Sequence, residues 1–306
     1  MTLGSLDHSG SRRYGPPHML PAYPTEAEAR HEEGFLNSAD HLRLFWQRYT
    51  PARAKATVLV LHGAGDHGGR YPALTSALVH AGFQVALLDF RGHGQSDGRR
   101  WYVDGFTDYL HDVDAFVAKL SQDGIAGETL LAVGHSQGGL IASLWAMRSG
   151  DLLSGLVLSS PWFRLARPPP AAKVLAGRVV GRFVPWLPID AGLDVAQLTS
   201  DPELQRWTAR DPLYGRKATP RWFDEAQRAQ MEALRRAPEL RTPLLVLVGG
   251  ADPVADPKAD QSFFDAASSK DKKLVVYEGF RHELFNETQR ERPIGEAVAW
   301  LSSRVR

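Results

Sequence analysis

Nucleophilic chemistry is written most plainly in residues 131–140, Leu-Ala-Val-Gly-His-Ser-Gln-Gly-Gly-Leu. An apolar strand runs into Gly134-x-Ser136-x-Gly138, and an apolar helix follows at once. This is the pattern of a nucleophile elbow, a tight strand-to-helix turn that lifts one serine hydroxyl out of the fold. Gly134 and Gly138 flank the serine because a Cβ at either position would collide within so close a turn. The helix expected from Gln137 to about Ser149 aims its positive end at the reaction site. A serine hydroxyl attacks poorly alone and needs a base, usually a histidine oriented by a carboxylate.

Candidates for both partners follow strands. Asp252 comes just after the apolar run Leu244–Val248, and Asp256, four residues on, is its rival for the same role. His282 lies in the loop after Lys273–Tyr277 and is the only one of eleven histidines beyond Ser136. The order serine, acid, histidine fits the elbow, and strand carboxyl ends are where open α/β sheets carry their sites. The developing oxyanion needs two fixed N–H donors. The backbone amide of Gln137 supplies one, and Ala64 in His62-Gly-Ala-Gly-Asp-His67 is the candidate for the other. His135 is expected to point away from the serine, His62 to support the loop after its strand, and Asp89 to brace Phe90–Ser96.

The glycine-rich loop has two competing readings. Gly63-x-Gly65-x-x-Gly68 with Asp89 beyond it has the spacing of a dinucleotide fingerprint. His62, Asp66 and His67 have the residue types of a metal site. Neither reading uses Ser136, Asp252 or His282, so no cofactor and no metal are expected.

These residues need elements to hold them. Strands are expected at Leu42–Tyr49, Thr57–His62, Gln84–Asp89, Glu128–Val133, Ser154–Ser159, Leu244–Val248 and Lys273–Tyr277, several of them continuous apolar runs suited to burial on both faces. Helices are expected at Tyr71–Ala81, Phe106–Leu120 and about Pro293–Val305. The alternation implies an α/β fold with a mostly parallel sheet covered on both faces. Residues 161–235 hold no clear strand and are too long for a plain loop. They read as a helical cap inserted into one core made of residues 26–160 and 236–306, with residues 1–25 a mobile tail.

Bulk composition narrows the class. The 306 residues can bury one large core, and 43% hydrophobic with 23% charged residues is ordinary for a globular protein. A net charge of +1 with scattered Lys and Arg gives no nucleic-acid face. With no cysteine, thiol catalysis and disulfides are excluded. No apolar run reaches the roughly 18 residues of a membrane span, and no secretory h-region is visible, so the expected location is the cytoplasm.

Three motifs together carry a resemblance: His62-Gly-Ala-Gly-Asp-His-Gly-Gly-Arg-Tyr71, Asp89-Phe-Arg-Gly-His-Gly-Gln-Ser-Asp-Gly98 and Gly134-His-Ser-Gln-Gly-Gly139, with Asp252 and His282. Over roughly 33–160 and 240–305 the chain resembles the monoacylglycerol lipase and lysophospholipase branch of the α/β hydrolases, enzymes of the serine aminopeptidase S33 type. The resemblance implies Ser136 as nucleophile, His282 as base, Asp252 as its partner, and the Ala64 and Gln137 amides as oxyanion hole. It implies a small acyl ester or monoacyl lipid as substrate. Two positions depart from the pattern. Gln137 stands where the family often has methionine, and its side chain is expected to change the polarity of the acyl pocket. Asp66 stands where glutamate is common. The stretch Lys173–Leu187 is apolar with basic residues and no acid. It reads either as a lid face meeting an acyl chain or, transiently, a membrane surface, or as a helix that covers the sheet. Ester hydrolysis, another triad reaction (acyl transfer, peptide cleavage, perhydrolysis) and a non-catalytic binding protein remain open from the residues alone.

Overall fold

A computed structural model describes residues 22–123 and 129–305. An eight-stranded sheet forms its centre, built from β1 (Arg30–Asn37), β2 (Arg43–Thr50), β3 (Ala56–Leu61), β4 (Phe83–Leu88), β5 (Leu130–His135), β6 (Gly155–Ser159), β9 (Leu244–Gly249) and β10 (Lys272–Tyr277). A pair of two-residue strands, β7 (Ile189–Asp190) and β8 (Lys217–Ala218), forms a separate ribbon. The sheet order is β1-β2-β4-β3-β5-β6-β9-β10. β1 pairs antiparallel with β2 and β2 antiparallel with β4, and every later pairing is parallel.

The central strands are buried at every position because helices cover both faces. Alternation then splits each strand between two cores: Leu59 and Leu61 face one, Val58 and Val60 the other. Helices α1 (Pro72–His80) and α9 (Glu291–Ser302) pack the second of these. Helices α2 (Thr107–Gln122), α3 (Gln137–Ser149) and α8 (Pro257–Ala266) pack the first. Each fully buried Leu or Val in these layers contributes about 1.5–3 kcal/mol.

Residues 161–235 hold α4 (Ala171–Phe183), α5 (Val195–Leu198), α6 (Pro202–Arg210) and α7 (Pro220–Arg236). Asp201 caps α6 by accepting from the Glu203 amide at 2.9 Å, and Thr219 caps α7, whose first residue is a proline. The inner face of α7, with Trp222, Ala226, Ala229 and Ala233, joins the same core as α3. Where no strand was expected in this segment, the β7–β8 ribbon occurs. Its strands are too short to leave a periodic signal.

Three other expectations meet the structure differently. β1 was not anticipated, because Arg-His-Glu-Glu-Gly-Phe-Leu-Asn is an edge strand with one buried residue and little alternation. Glu128, the expected start of β5, and residues 1–21 of the expected tail lie outside the described residues. The tail does not extend to residue 25. Tyr23 stacks on Tyr49 at 5.1 Å, and its hydroxyl donates to the Gly68 carbonyl at 3.0 Å.

Candidate active site

Ser136 stands between β5 and α3 with φ 53° and ψ −119°, a conformation that side-chain-bearing residues seldom adopt. Neighbouring backbone holds it there. Its N–H donates to the Ser159 carbonyl at 3.0 Å, and its own carbonyl accepts from the amides of Leu140 at 3.1 Å and Trp162 at 3.0 Å. The turn has no room beside it. A Cβ on Gly134 would lie 2.6 Å from the Gly138 carbonyl oxygen, and one on Gly138 would strike the Leu61 and His62 carbonyls.

β9 and β10 bring two further side chains to this turn. His282 Nε2 accepts from Ser136 Oγ at 2.8 Å, and its Nδ1 donates to Asp252 Oδ2 at 2.7 Å. The carboxylate only accepts, so the Nδ1 hydrogen is fixed and the Nε2 lone pair faces the hydroxyl. Asp252 is itself held, its Oδ1 accepting from the Val254 and Ala255 amides at 2.8 and 3.0 Å. All three side chains are buried. Burial alone would push His282 down, but the Asp252 carboxylate, with Glu283 beyond it, reverses this and holds the ring above its ordinary 6.5. Such a chain can pass the hydroxyl proton to the ring as the oxygen attacks. The rival Asp256 does not reach His282. It caps α8 by accepting from the Lys258 amide at 2.9 Å and pairs with Arg164 at 2.9 Å.

Two amides flank the serine in the chain or in space, those of Gln137 and Ala64. Neither the Ala64 nor the Gln137 N–H donates to another described residue. The Ala64 loop abuts Ser136 closely enough that a Cβ on Gly63 would lie 3.2 Å from the serine Cβ.

The glycine-rich loop is tied down rather than open. Asp89 accepts from the Gly68 amide at 2.7 Å and the Gln95 amide at 2.8 Å. It therefore joins two loops, and its oxygens are engaged where a dinucleotide fingerprint would need them for ribose. His62 Nε2 accepts from the Phe90 amide at 2.9 Å and its Nδ1 donates to the Gly63 carbonyl at 2.7 Å. Asp66 binds the His67 amide at 2.8 Å, the Tyr71 hydroxyl at 2.6 Å and Arg70 at 2.8 Å, while His67 Nε2 donates to Asp211 at 2.9 Å. The three side chains of the metal reading thus turn to different partners, and no cluster spaced to hold a metal occurs among the described residues. His135 is not hydrogen-bonded to Ser136. Its Nδ1 meets the Ser159 carbonyl at 3.1 Å and its ring lies 4.8 Å from that of His282. It still borders the cavity, and burial pushes it down to about 3.

A buried ionic group escaped the sequence reading. Arg70 is fully buried and reaches Asp66, Glu283 at 3.0 Å and the Thr208 hydroxyl at 2.8 Å, with the rings of Trp207 and Tyr214 each 5.0 Å away. It joins the Ala64 loop, the His282 loop and α6. Arg70 lies within the first motif, but its partner Glu283 is 213 positions away, and no local pattern announces the pair.

A cavity of about 690 Å³, mouth included, opens at Ser136 and is lined by Trp101, Trp162, Trp222, Leu165, Leu198 and Val254 among others. A second, of about 730 Å³, lies between α4 and α7 and shares Ala191, Ala218 and Phe223 with the first. The Gln137 side chain does not line either cavity. It is fully buried beside the Tyr109 phenol, so it does not set the pocket's polarity as expected.

Known proteins agree with this architecture. The model of the serine aminopeptidase S33 family matches residues 52–289. Monoglyceride lipase of Homo sapiens is 35% identical over 279 residues, covering 88% of this chain and 90% of that protein. Phospholipase YtpA of Bacillus subtilis is 30% identical over 241 residues, covering 78% and 92%. The crystal structure of Paleococcus ferrophilus monoacylglycerol lipase superposes with a TM-score of 0.76 at 30% identity, covering 85% of this chain and 99% of that one. The chain therefore belongs to the serine aminopeptidase S33 family of α/β hydrolases, in its monoacylglycerol lipase and lysophospholipase-like branch, and is a carboxylic ester hydrolase.

Proposed function

We propose that the protein hydrolyses the ester of a monoacyl lipid, a monoacylglycerol or lysophospholipid, through an acyl-enzyme on Ser136. The observation that carries this reading is the hydrogen-bonded series Ser136–His282–Asp252 opening onto an apolar cavity. Ser136 Oγ attacks the ester carbonyl as His282 Nε2 takes its proton. Asp252 stabilises the resulting imidazolium. The carbonyl oxygen, now anionic, sits between the Ala64 and Gln137 amides, each worth roughly 3 kcal/mol at the transition state. Collapse breaks the ester C–O bond, and His282 gives its proton to the leaving alkoxide. Water then repeats the sequence: His282 takes its proton, hydroxyl adds to the acyl carbon, and Ser136 leaves with the proton returned.

Residues 161–235 are a cap over this site. The acyl chain lies along the Trp- and Leu-lined cavity and continues toward the space between α4 and α7. Seven apolar side chains of residues 175–189, from Leu175 to Ile189 and including Phe183 at 73% exposure, face outward on the cap. They suit brief contact with a lipid surface from which a monoacyl substrate is drawn. No helix among the described residues is long and apolar enough to cross a membrane.

The test is hydrolysis of p-nitrophenyl esters, monoacylglycerols and lysophospholipids from C2 to C18, with Ser136→Ala beside the wild type. Each CH₂ buried in an apolar tunnel is worth about 0.8 kcal/mol, so two added methylenes raise kcat/KM roughly tenfold until the tunnel is full. A profile that is flat or confined to the shortest esters overturns the tunnel, and residual turnover in Ser136→Ala overturns the nucleophile. An acyl acceptor preferred over water would make the reaction acyl transfer.

A further inference from the structure

Two non-glycine residues lining the cavity hold a positive φ. One is Ser136, and the other is Trp101, at φ 48°. A bulky residue in that region is an outlier that persists only where its surroundings over-determine it. For Trp101 those surroundings come from both sides of the site. Its carbonyl accepts from Thr219 Oγ1 at 2.6 Å, the residue that caps α7, and its N–H reaches the Gly92 carbonyl at 3.4 Å. Its indole lies 4.6 Å from that of Trp222 and stacks over His93 at 6.0 Å. The indole occupies the space that a Cβ on Gly65 or on Gly215 would need, Cζ2 lying against the first and Nε1 against the second. Those two glycines are joined directly, Gly215 N–H to Gly65 carbonyl at 2.7 Å. Gly65 itself is held at φ 72° and is the immediate neighbour of Ala64.

We propose that Trp101 is a positioning residue for the reaction: its indole, clamped by residues 215–222, wedges against Gly65 and thereby aims the Ala64 amide at the oxyanion. Cap and oxyanion loop are then one mechanical unit with Trp101 as the shim between them. The proposal rests on the reading of Ala64 as an oxyanion donor. It separates from a plain lining role because an oxyanion donor acts on every ester, whereas a wall residue acts only on acyl chains long enough to touch it.

Trp101→Ala and Trp101→Phe are compared with Leu193→Ala, another lining change that leaves Gly65 alone, on p-nitrophenyl acetate and p-nitrophenyl decanoate. Binding of phenylboronic acid, whose tetrahedral adduct with a serine hydroxyl uses the same donors, is measured in parallel. In Trp101→Ala, kcat on acetate falls about tenfold or more with little change in KM, and boronate affinity falls by a similar factor. Trp101→Phe recovers most of both. Leu193→Ala lowers decanoate turnover by a larger factor than acetate turnover and leaves boronate affinity closer to wild type than Trp101→Ala does. Acetate turnover and boronate affinity within about twofold of wild type in Trp101→Ala, with decanoate alone impaired, would reduce Trp101 to a wall and overturn the proposal. So would a loss of acetate turnover with unchanged boronate affinity. If circular dichroism shows that Trp101→Ala does not fold, Trp101→Phe against wild type carries the same comparison with a smaller expected drop. Wild-type acetate turnover that survives in Ser136→Ala would instead break the parent reading, independently of how the Trp101 variants behave.

Discussion

The sheet and residues 161–235 use apolar residues in opposite ways. In β3, β4, β5, β6 and β9 every position is buried, and Val and Leu fill two cores by alternation. In residues 161–235 the apolar side chains of 175–189 include several that face outward, while Trp162, Phe163, Leu198, Leu204, Tyr214 and the inner face of α7 are buried. The sheet's apolar surface stabilises the fold. That of residues 175–189 lies partly in solvent, the kind of exposed patch that suits an interaction surface.

The sharpest break of this contrast is at the rigid end. Asp252→Asn should leave the fold intact, since the residue's shape is kept, but lower kcat by about 10⁴-fold by losing the imidazole orientation, read in pre-steady-state acylation of a p-nitrophenyl ester. Wild-type-like acylation would mean Asp252 is not the partner of His282. Next, Leu247→Ala in β9 should cost about 2–5 kcal/mol in urea unfolding, as a buried leucine with no room to relax, and a loss near zero would deny that the sheet is tightly packed. Third, burial pushes His62, His93 and His135 each down to about 3, so the folded chain stays neutral at these rings while the unfolded chain binds protons below about 6.5. Stability should thus be fully present above pH 6.5 and fall as pH drops, by up to about 2 kcal/mol per ring at pH 5. A melting temperature indifferent to pH between 7 and 5 would refute this.

His282 gives a prediction of the other sign. Its value is held above 6.5 by Asp252, and catalysis needs the ring neutral. Activity should therefore rise with pH through a midpoint above 6.5, at constant fold, and Asp252→Asn should move that midpoint down. A midpoint below 6.5 in wild type would contradict the pairing. The smallest effect belongs to the cap surface. Phe183→Ser should change unfolding free energy by less than about 0.5 kcal/mol, yet lower turnover of monoacylglycerol presented in vesicles more than turnover of a water-soluble ester. Equal effects on both would remove the lipid-surface role.

The same contrast governs what could be read from sequence. β3 and β9 were legible because burial on both faces leaves an unbroken apolar run; Asp252 was legible because it sits just past such a run, and His282 because it is the only histidine beyond Ser136. β1 was not, because a half-exposed edge strand carries charged residues in no fixed alternation. Arg70 and Glu283 meet only through the tertiary fold, and nothing around either position signals the other. Trp101 was hidden for a different reason: its position requires φ 48°, which sequence rules assign to glycine. Gln137 shows that a place at the start of α3 does not settle the side chain, which turned inward to Tyr109 and away from the pocket.

β6 and β9 are hydrogen-bonded neighbours, with Leu156 beside Leu244 and Ser159 beside Leu247. All of residues 161–235 therefore lie within a single connection between adjacent strands, and the eight-stranded sheet takes none of its strands from them. Evolution could exchange this one connection wholesale, as a cassette, without reordering the sheet. The junctions a donor cassette must honour include the Trp162 amide on the Ser136 carbonyl, the Gly215 amide on Gly65, Asp211 on His67, Thr219 on the Trp101 carbonyl, and Thr208 on Arg70. A transplant that keeps these points leaves the Ser136 turn and the Ala64 loop braced as they are here.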